Sequence, residues 1–160
     1  MRLRRMKRAT TTDVARSAIM RAVKSKNTTP EMIVRRLIHG LGFRFRLHRK
    51  DLPGKPDLVF PGRRKIVFVN GCFWHGHDCP RGARQPKANA DYWRKKISRN
   101  VDRDGRNIAA LRDCGWEPMI VWECETKNEE VLGTQLDLFL ANSSAKGLRT
   151  TRRRSTSCEA

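Results

Sequence analysis

No stretch of this 160-residue chain approaches the ~20 consecutive apolar residues of a bilayer-spanning helix, which argues against a membrane protein. The N-terminus is basic, Met1-Arg2-Leu3-Arg4-Arg5-Met6-Lys7-Arg8, but no apolar segment follows it, so the pattern of a secretory signal is missing too. The cysteines are five, an odd number, at the uneven positions 72, 79, 114, 124 and 158. That is not a secreted disulfide framework. No internal repeat is visible. Acidic residues are scarce, 16 against 35 Lys plus Arg, which leaves a net charge of +19 and a sequence pI of about 11.0. Such a field favours a polyanion as partner, and nucleic acid is the usual one. The expectation is a soluble, cytoplasmic, nucleoid-associated protein, with one domain large enough for a core that needs no disulfides.

Residues 1–12 read as a basic N-terminal tail and residues 141–160 as a disordered basic tail, rich in Ser, Thr and Arg with little to bury. Cys158 in that tail reads as an incidental thiol. The domain between them, residues 13–140, opens with a helix from Thr12 or Asp13 to about Val23. Thr29-Pro30-Glu31 is a second helix start, with Thr29 as N-cap, Pro at the first helical position and an acid in the first turn. Ile33, Val34, Leu37, Ile38 and Leu41 follow helical spacing up to Gly40 or Gly42. Phe43 to Leu47 alternates apolar and basic residues and predicts a strand. Asp57 to Phe60 and Lys65 to Asn70 predict two more around a hairpin turn at Pro61-Gly62-Arg63-Arg64. A long helix is expected from Asn89 or Ala90 to Cys114, with Trp93, Ile97, Val101, Ile108 and Leu111 on its apolar stripe. A buried strand at Pro118 to Trp122 and a last helix at Val131 to Leu140 complete an α/β fold, a mixed central sheet flanked by helices.

Gly71-Cys72-Phe73-Trp74-His75-Gly76-His77-Asp78-Cys79 concentrates two thiols, two imidazoles and two large aromatics. Cysteine and histidine this dense predict a metal site, and a metal would staple a loop otherwise too polar to bury. Zinc takes about four ligands. Cys72, His75, His77, Cys79 and Cys124 are five candidates, and in an extended stretch residues 75, 77 and 79 would share a side, so spacing does not choose between the histidines. Upstream, Leu52-Pro53-Gly54-Lys55-Pro56-Asp57 sets a carboxylate at the head of a short strand. Phosphodiester hydrolysis needs a hard cation such as Mg²⁺ on carboxylate and backbone oxygens, with a group nearby to position water. The Asp/Glu-x-Lys element that usually follows such an aspartate is missing, because Phe68-Val69-Asn70 carries no acid. Another carboxylate or a histidine has to do that work.

These segments, together with Met20 to Glu31, Asn100-Val101-Asp102-Arg103-Asp104 and Val121-Trp122-Glu123-Cys124, resemble the very-short-patch-repair (Vsr) mismatch endonucleases. The likeness is collinear over roughly residues 13 to 140. It implies a restriction-endonuclease-like fold with a structural zinc site. The implied activity is a Mg²⁺-dependent nick 5′ to the thymine of a T:G mismatch, the lesion left when 5-methylcytosine deaminates. The same resemblance makes Asp57 the Mg²⁺ carboxylate, helped by the Val69 carbonyl, and His75 the catalytic histidine. Glu31 and Asp104 become acidic neighbours that bind metal-coordinated water or orient His75. Cys72, His77, Cys79 and Cys124 become the Zn²⁺ ligands, and Phe73, Trp74 and Trp93 the aromatics that wedge into the duplex. The implied enzyme is a monomer acting on mismatched double-stranded DNA, with mismatch-repair proteins as further partners.

The chain departs from the family pattern at Val69, where Thr is usual, and at Asn70 and Gly76, where His or another polar residue is common. Two other readings stay open. One is a nicking or restriction-type nuclease of the same fold without strict T:G preference. The other is a non-catalytic, zinc-stabilised DNA-binding module in which Asp57 caps a turn.

Overall fold

A computed structural model of the chain describes residues 26–84, 86 and 89–142. The N-terminal tail, the helix expected from Thr12 or Asp13 to Val23, the C-terminal tail beyond Asn142 and Cys158 lie outside the described residues.

The first described helix, α1, runs Thr29–Gly40 with Thr28, not Thr29, as N-cap. The reason is the spacing Thr28-x-x-Glu31: the Thr28 hydroxyl accepts from the Glu31 N–H and donates to Glu31 Oε1, while Glu31 Oε2 accepts from the Asn27 N–H. That reciprocal box satisfies helix-end donors that would otherwise be orphaned. Gly42 at φ +84° ends the helix, with its N–H on His39 O and the Phe43 N–H on Ile38 O. Of the strand expected from Phe43 to Leu47 only Arg46–Leu47 pairs, as β1. Phe43 and Phe45 pack instead against the core beside α1, and His48 leaves the extended region at φ +47°.

β2 (Leu58–Phe60), a single 3₁₀ turn at Pro61–Arg63 and β3 (Lys65–Asn70) form the expected hairpin. Helix α2 spans Ala90–Asp113, β4 spans Glu117–Trp122, and α3 spans Glu129–Ala141. Helix α3 starts before Val131 because the Asn128 side chain caps the Val131 N–H, and it keeps Ala141 out of the expected tail. The sheet order is β1-β2-β3-β4, antiparallel except for the parallel pair β3–β4.

Alternation along β2 and β3 sends Leu58, Phe60 and Val67 to one face and Val59 and Ile66 to the other. On the first face they meet Val34 and Ile38 of α1 and Leu132, Leu136 and Leu140 of α3. On the second they meet Leu52, Leu111 of α2 and Trp116. The result is helix, mixed sheet, helix. Val101 departs from its expected place on a covered stripe, being 46% exposed. The segment that crosses it does so at Gly76, whose missing side chain leaves only backbone to cover it.

Candidate active site and metal centre

Asp57 immediately precedes β2, and the antiparallel register of β2 with β3 brings it beside Val69, whose N–H donates to Asp57 Oδ2 at 2.8 Å. The Asp57 carbonyl accepts from the His48 N–H at 3.2 Å, so backbone and side chain are both held. Burial pushes the Asp57 carboxyl above the usual carboxylate range. The Val69 N–H pulls it down, the Glu31 charge adds to the rise, and His48 and Arg35 oppose it.

Asp57 lines a cavity of ≈ 820 Å³ together with Glu31, His75, Asp104 and Glu123, and with Phe73 and Trp74 of the loop after β3. That loop is not extended. The Trp74 and His75 N–H groups both turn back to Gly71 O, the His77 N–H bonds Cys72 O, and Gly76 sits at φ +66°. The condition under which residues 75, 77 and 79 would share a side is therefore not met, and the turns send the two histidines in different directions.

His75 Nδ1 lies 2.5 Å from Asp104 Oδ2 on α2. A carboxylate only accepts, so a neutral His75 donates at Nδ1 and presents Nε2 as a proton acceptor. His77 goes the other way. Its Nδ1 lies 3.6 Å from Cys124 Sγ and its ring stacks on Trp122 at 4.3 Å. Ligand atoms of Cys72, His77, Cys79 and Cys124 all fall within 4.8 Å of one another, which suits a tetrahedral ion with S and N donors.

The parallel strands explain this convergence. Asn70 is the register partner of Trp122, and Cys72 and Cys124 each follow two residues later. Gly82 closes the loop over them; a side chain there would meet His77 O at 2.0 Å. Its N–H reaches Cys79 Sγ at 3.4 Å and, with His77, brings the Cys79 thiol down to about 6. Burial pushes Cys72 up to about 12 and raises Cys124 as well. Three crowded thiols cannot all ionise by themselves. A bound cation would reverse that by stabilising each thiolate.

Phe73, Trp74 and Trp93 form one partly buried cluster at the cavity rim, with ring centroids 5.2 to 5.7 Å apart. Lys96 Nζ lies over Trp74 and Trp93 at 5.5 and 5.3 Å. Asn100 Nδ2 anchors the Trp74 carbonyl at 2.9 Å.

Glu31 shares the cavity, but its oxygens are already engaged by Asn27, Thr28 and, at 2.9 Å, Arg35. Several lining residues have no local signature in the sequence. Arg81 pairs with Glu123 at 3.0 Å, Arg103 with Asp104 at 3.1 Å, and Asn107 packs close to Gly54. Glu123 and Arg103 did have one, as neighbours of Cys124 and Asp104 in the segments that carry the family resemblance.

No helix among the described residues is long and apolar enough to cross a membrane. The family model described as "DNA mismatch endonuclease Vsr" matches residues 9–81. The chain is 40% identical over 117 residues to "DNA mismatch endonuclease Vsr" of Escherichia coli (strain K12), covering 73% of this chain and 74% of the relative. It is 54% identical over 121 residues to "Type II nicking enzyme V.XorIIP" of Xanthomonas oryzae pv. oryzae (strain KACC10331 / KXO85), covering 76% and 88% of the two chains. It is 42% identical over 122 residues to "Type II nicking enzyme V.NmeAIP" of Neisseria meningitidis serogroup A / serotype 4A (strain DSM 15465 / Z2491), covering 76% and 86%. The chain thus belongs to the DNA mismatch endonuclease Vsr family, and is a DNA endonuclease with that family's restriction-endonuclease-like α/β fold.

Proposed function

We propose that this endonuclease acts as a monomer and nicks duplex DNA 5′ to the thymine of a T:G mismatch, by Mg²⁺-dependent hydrolysis. The observation that carries the reading is one cavity holding an anchored Asp57 carboxylate and the His75–Asp104 pair. The donor set is oxygen-rich, which suits a hard cation, with Asp57, the Val69 carbonyl and water as its ligands. When bound, Mg²⁺ supplies charge stabilisation to the phosphate and acidifies water. The protein's own part is positional. Asp104 fixes the His75 ring, His75 Nε2 takes a proton from the attacking water, and Glu31, already held by Asn27, Thr28 and Arg35, offers its remaining lone pairs to metal-coordinated water. Cys72, His77, Cys79 and Cys124 would hold a structural Zn²⁺, and that site would keep the loop that carries His75 and the aromatics in place.

The test uses labelled duplexes that differ only in T:G, C:G or T:A at one site, each with Mg²⁺ or with none. The expected result is one nick, in the T:G duplex, with Mg²⁺. Equal nicking of the C:G duplex would overturn the mismatch reading and favour the second one, site-directed nicking without strict T:G preference, which the names of two relatives support.

Phe73, Trp74 and Trp93 are the wedge in this reading, because apolar rings unstack a duplex most cheaply where pairing is already weak. Trp74→Ala is expected to weaken binding to T:G duplex by roughly 1–3 kcal/mol. Matched duplex, held mainly by charge, should change little, whereas added salt weakens both together. Competition binding on the two duplexes checks it, and an equal loss on both would assign the rings to the fold.

A further inference from the structure

One histidine stands against Asp57 without any part in the reading above. His48 follows β1 at φ +47°, a left-handed backbone that a residue with a side chain adopts at a cost. Its Nε2 lies 3.0 Å from Arg35 Nη2, and its Nδ1 lies 3.9 Å from Asp57 Oδ1. Arg35 is itself only 9% exposed. Its guanidinium gives Nη1 to Asn27 Oδ1 at 2.6 Å and Nη2 to Glu31 Oε2 at 2.9 Å.

Hydrogen-bond chemistry orders this network. A guanidinium has donors and no acceptor, so Nε2 of His48 has to accept from Arg35. The neutral ring then carries its hydrogen on Nδ1, the nitrogen that faces Asp57. At Asp57 the other oxygen, Oδ2, is already fixed by the Val69 N–H. The two carboxylate oxygens are thus approached by N–H groups from two different elements. At 3.9 Å the His48 contact is too long for a hydrogen bond, but it is short enough for the N–H dipole to act on the carboxylate in a partly buried site.

We propose that His48, locked in its Nδ1–H form by Arg35, is a positioning residue that orients the Asp57 carboxylate for a divalent cation. The inference rests on the reading of Asp57 as the metal carboxylate. His48 touches no reacting atom. It acts through Asp57, as an outer-sphere partner acts on a ligand, and such partners typically change metal affinity roughly 10–100-fold.

The test measures Mn²⁺ binding to the zinc-containing protein without DNA, by electron paramagnetic resonance of free Mn²⁺. Mn²⁺ is the probe because carboxylate and carbonyl oxygens accept it as they do Mg²⁺. His48→Gly removes the ring without backbone strain, since glycine adopts positive φ freely. His48→Asn puts an amide donor near the place of Nδ1 and tolerates the same backbone. The expected result is Mn²⁺ binding weakened roughly 10-fold in His48→Gly and largely restored in His48→Asn, with the thermal midpoint and metal-free duplex binding close to wild type. Wild-type affinity in His48→Gly overturns the proposal, and so does weak binding that Asn fails to restore. Loss of the folded transition in both variants makes His48 structural and overturns it as well. Asp57→Ala is the control arm: full Mn²⁺ binding there would sink the Asp57 reading itself, whereas loss there with no effect of His48→Gly would remove only this inference.

Discussion

Asp57→Ala is expected to reduce nicking of a T:G duplex to background while folding and duplex binding stay near wild type. The substitution removes a carboxylate that accepts one backbone bond, from Val69, so the sheet keeps its own ladder. A bound cation supplies several kcal/mol of charge stabilisation to the transition state. A loss of about 4 kcal/mol is about a thousandfold in rate. Single-turnover nicking beside a binding titration separates the two effects, and near-normal cleavage would overturn the assignment.

The raised Asp57 pKa gives this prediction a pH dependence. The group has to ionise to hold a cation, so protons compete with the cation, and at limiting Mg²⁺ activity should fall as the pH drops through the raised pKa of the metal-free site. The metal-free fold goes the opposite way. With the folded pKa above the unfolded one, the native state binds more protons between them. Stability is then fullest below the unfolded value and is lost as pH rises through the folded value. Asp57→Asn should therefore raise the thermal midpoint of the metal-free protein at neutral pH while abolishing cleavage.

Replacing Cys72, Cys79 or Cys124 with Ser is expected to cost the whole fold. Structural zinc binding in small domains is worth about 10–16 kcal/mol, comparable with the roughly 5–15 kcal/mol that separates a native domain from its unfolded chain. The wild type is expected to co-purify with one zinc, and each variant to lose it and show no cooperative melting transition. His75→Ala should behave differently, with full zinc content, a normal melt and no nicking. Zinc lost from the His75 variant and kept in a His77 variant would exchange the two histidines.

What could be read before the structure follows a physical division. Elements with local causes were legible. Thr29, Pro30 and Glu31 announce a helix start within three positions of the chain, and the unbroken apolar run of β3 announces a buried strand. The N-cap was still displaced by one residue, because both threonines have the right chemistry and only the Glu31 bond chooses between them. The assignment of His75 and His77 depends on turns at Gly71, Gly76 and Gly82, and no periodicity describes those. Arg35 and His48 meet across separate elements, so their contact has no sequence signature at all.

The pairing of β3 with β4 has a consequence for how the chain closes. Parallel neighbours cannot be joined by a hairpin, so everything from Gly71 to Trp116, including all of α2, is one excursion between them. Three members of the Cys/His cluster stand where that excursion leaves β3, and Cys124 stands just past the C-terminal end of β4, beside them because the two strands are parallel. An ion held by all four is therefore a knot tied across the loop. For a loop of roughly 50 residues, a permanent cross-link removes about 4 kcal/mol of chain entropy from the unfolded ensemble. Such an ion does more than brace a surface turn: it shortens the search by which β4 finds β3.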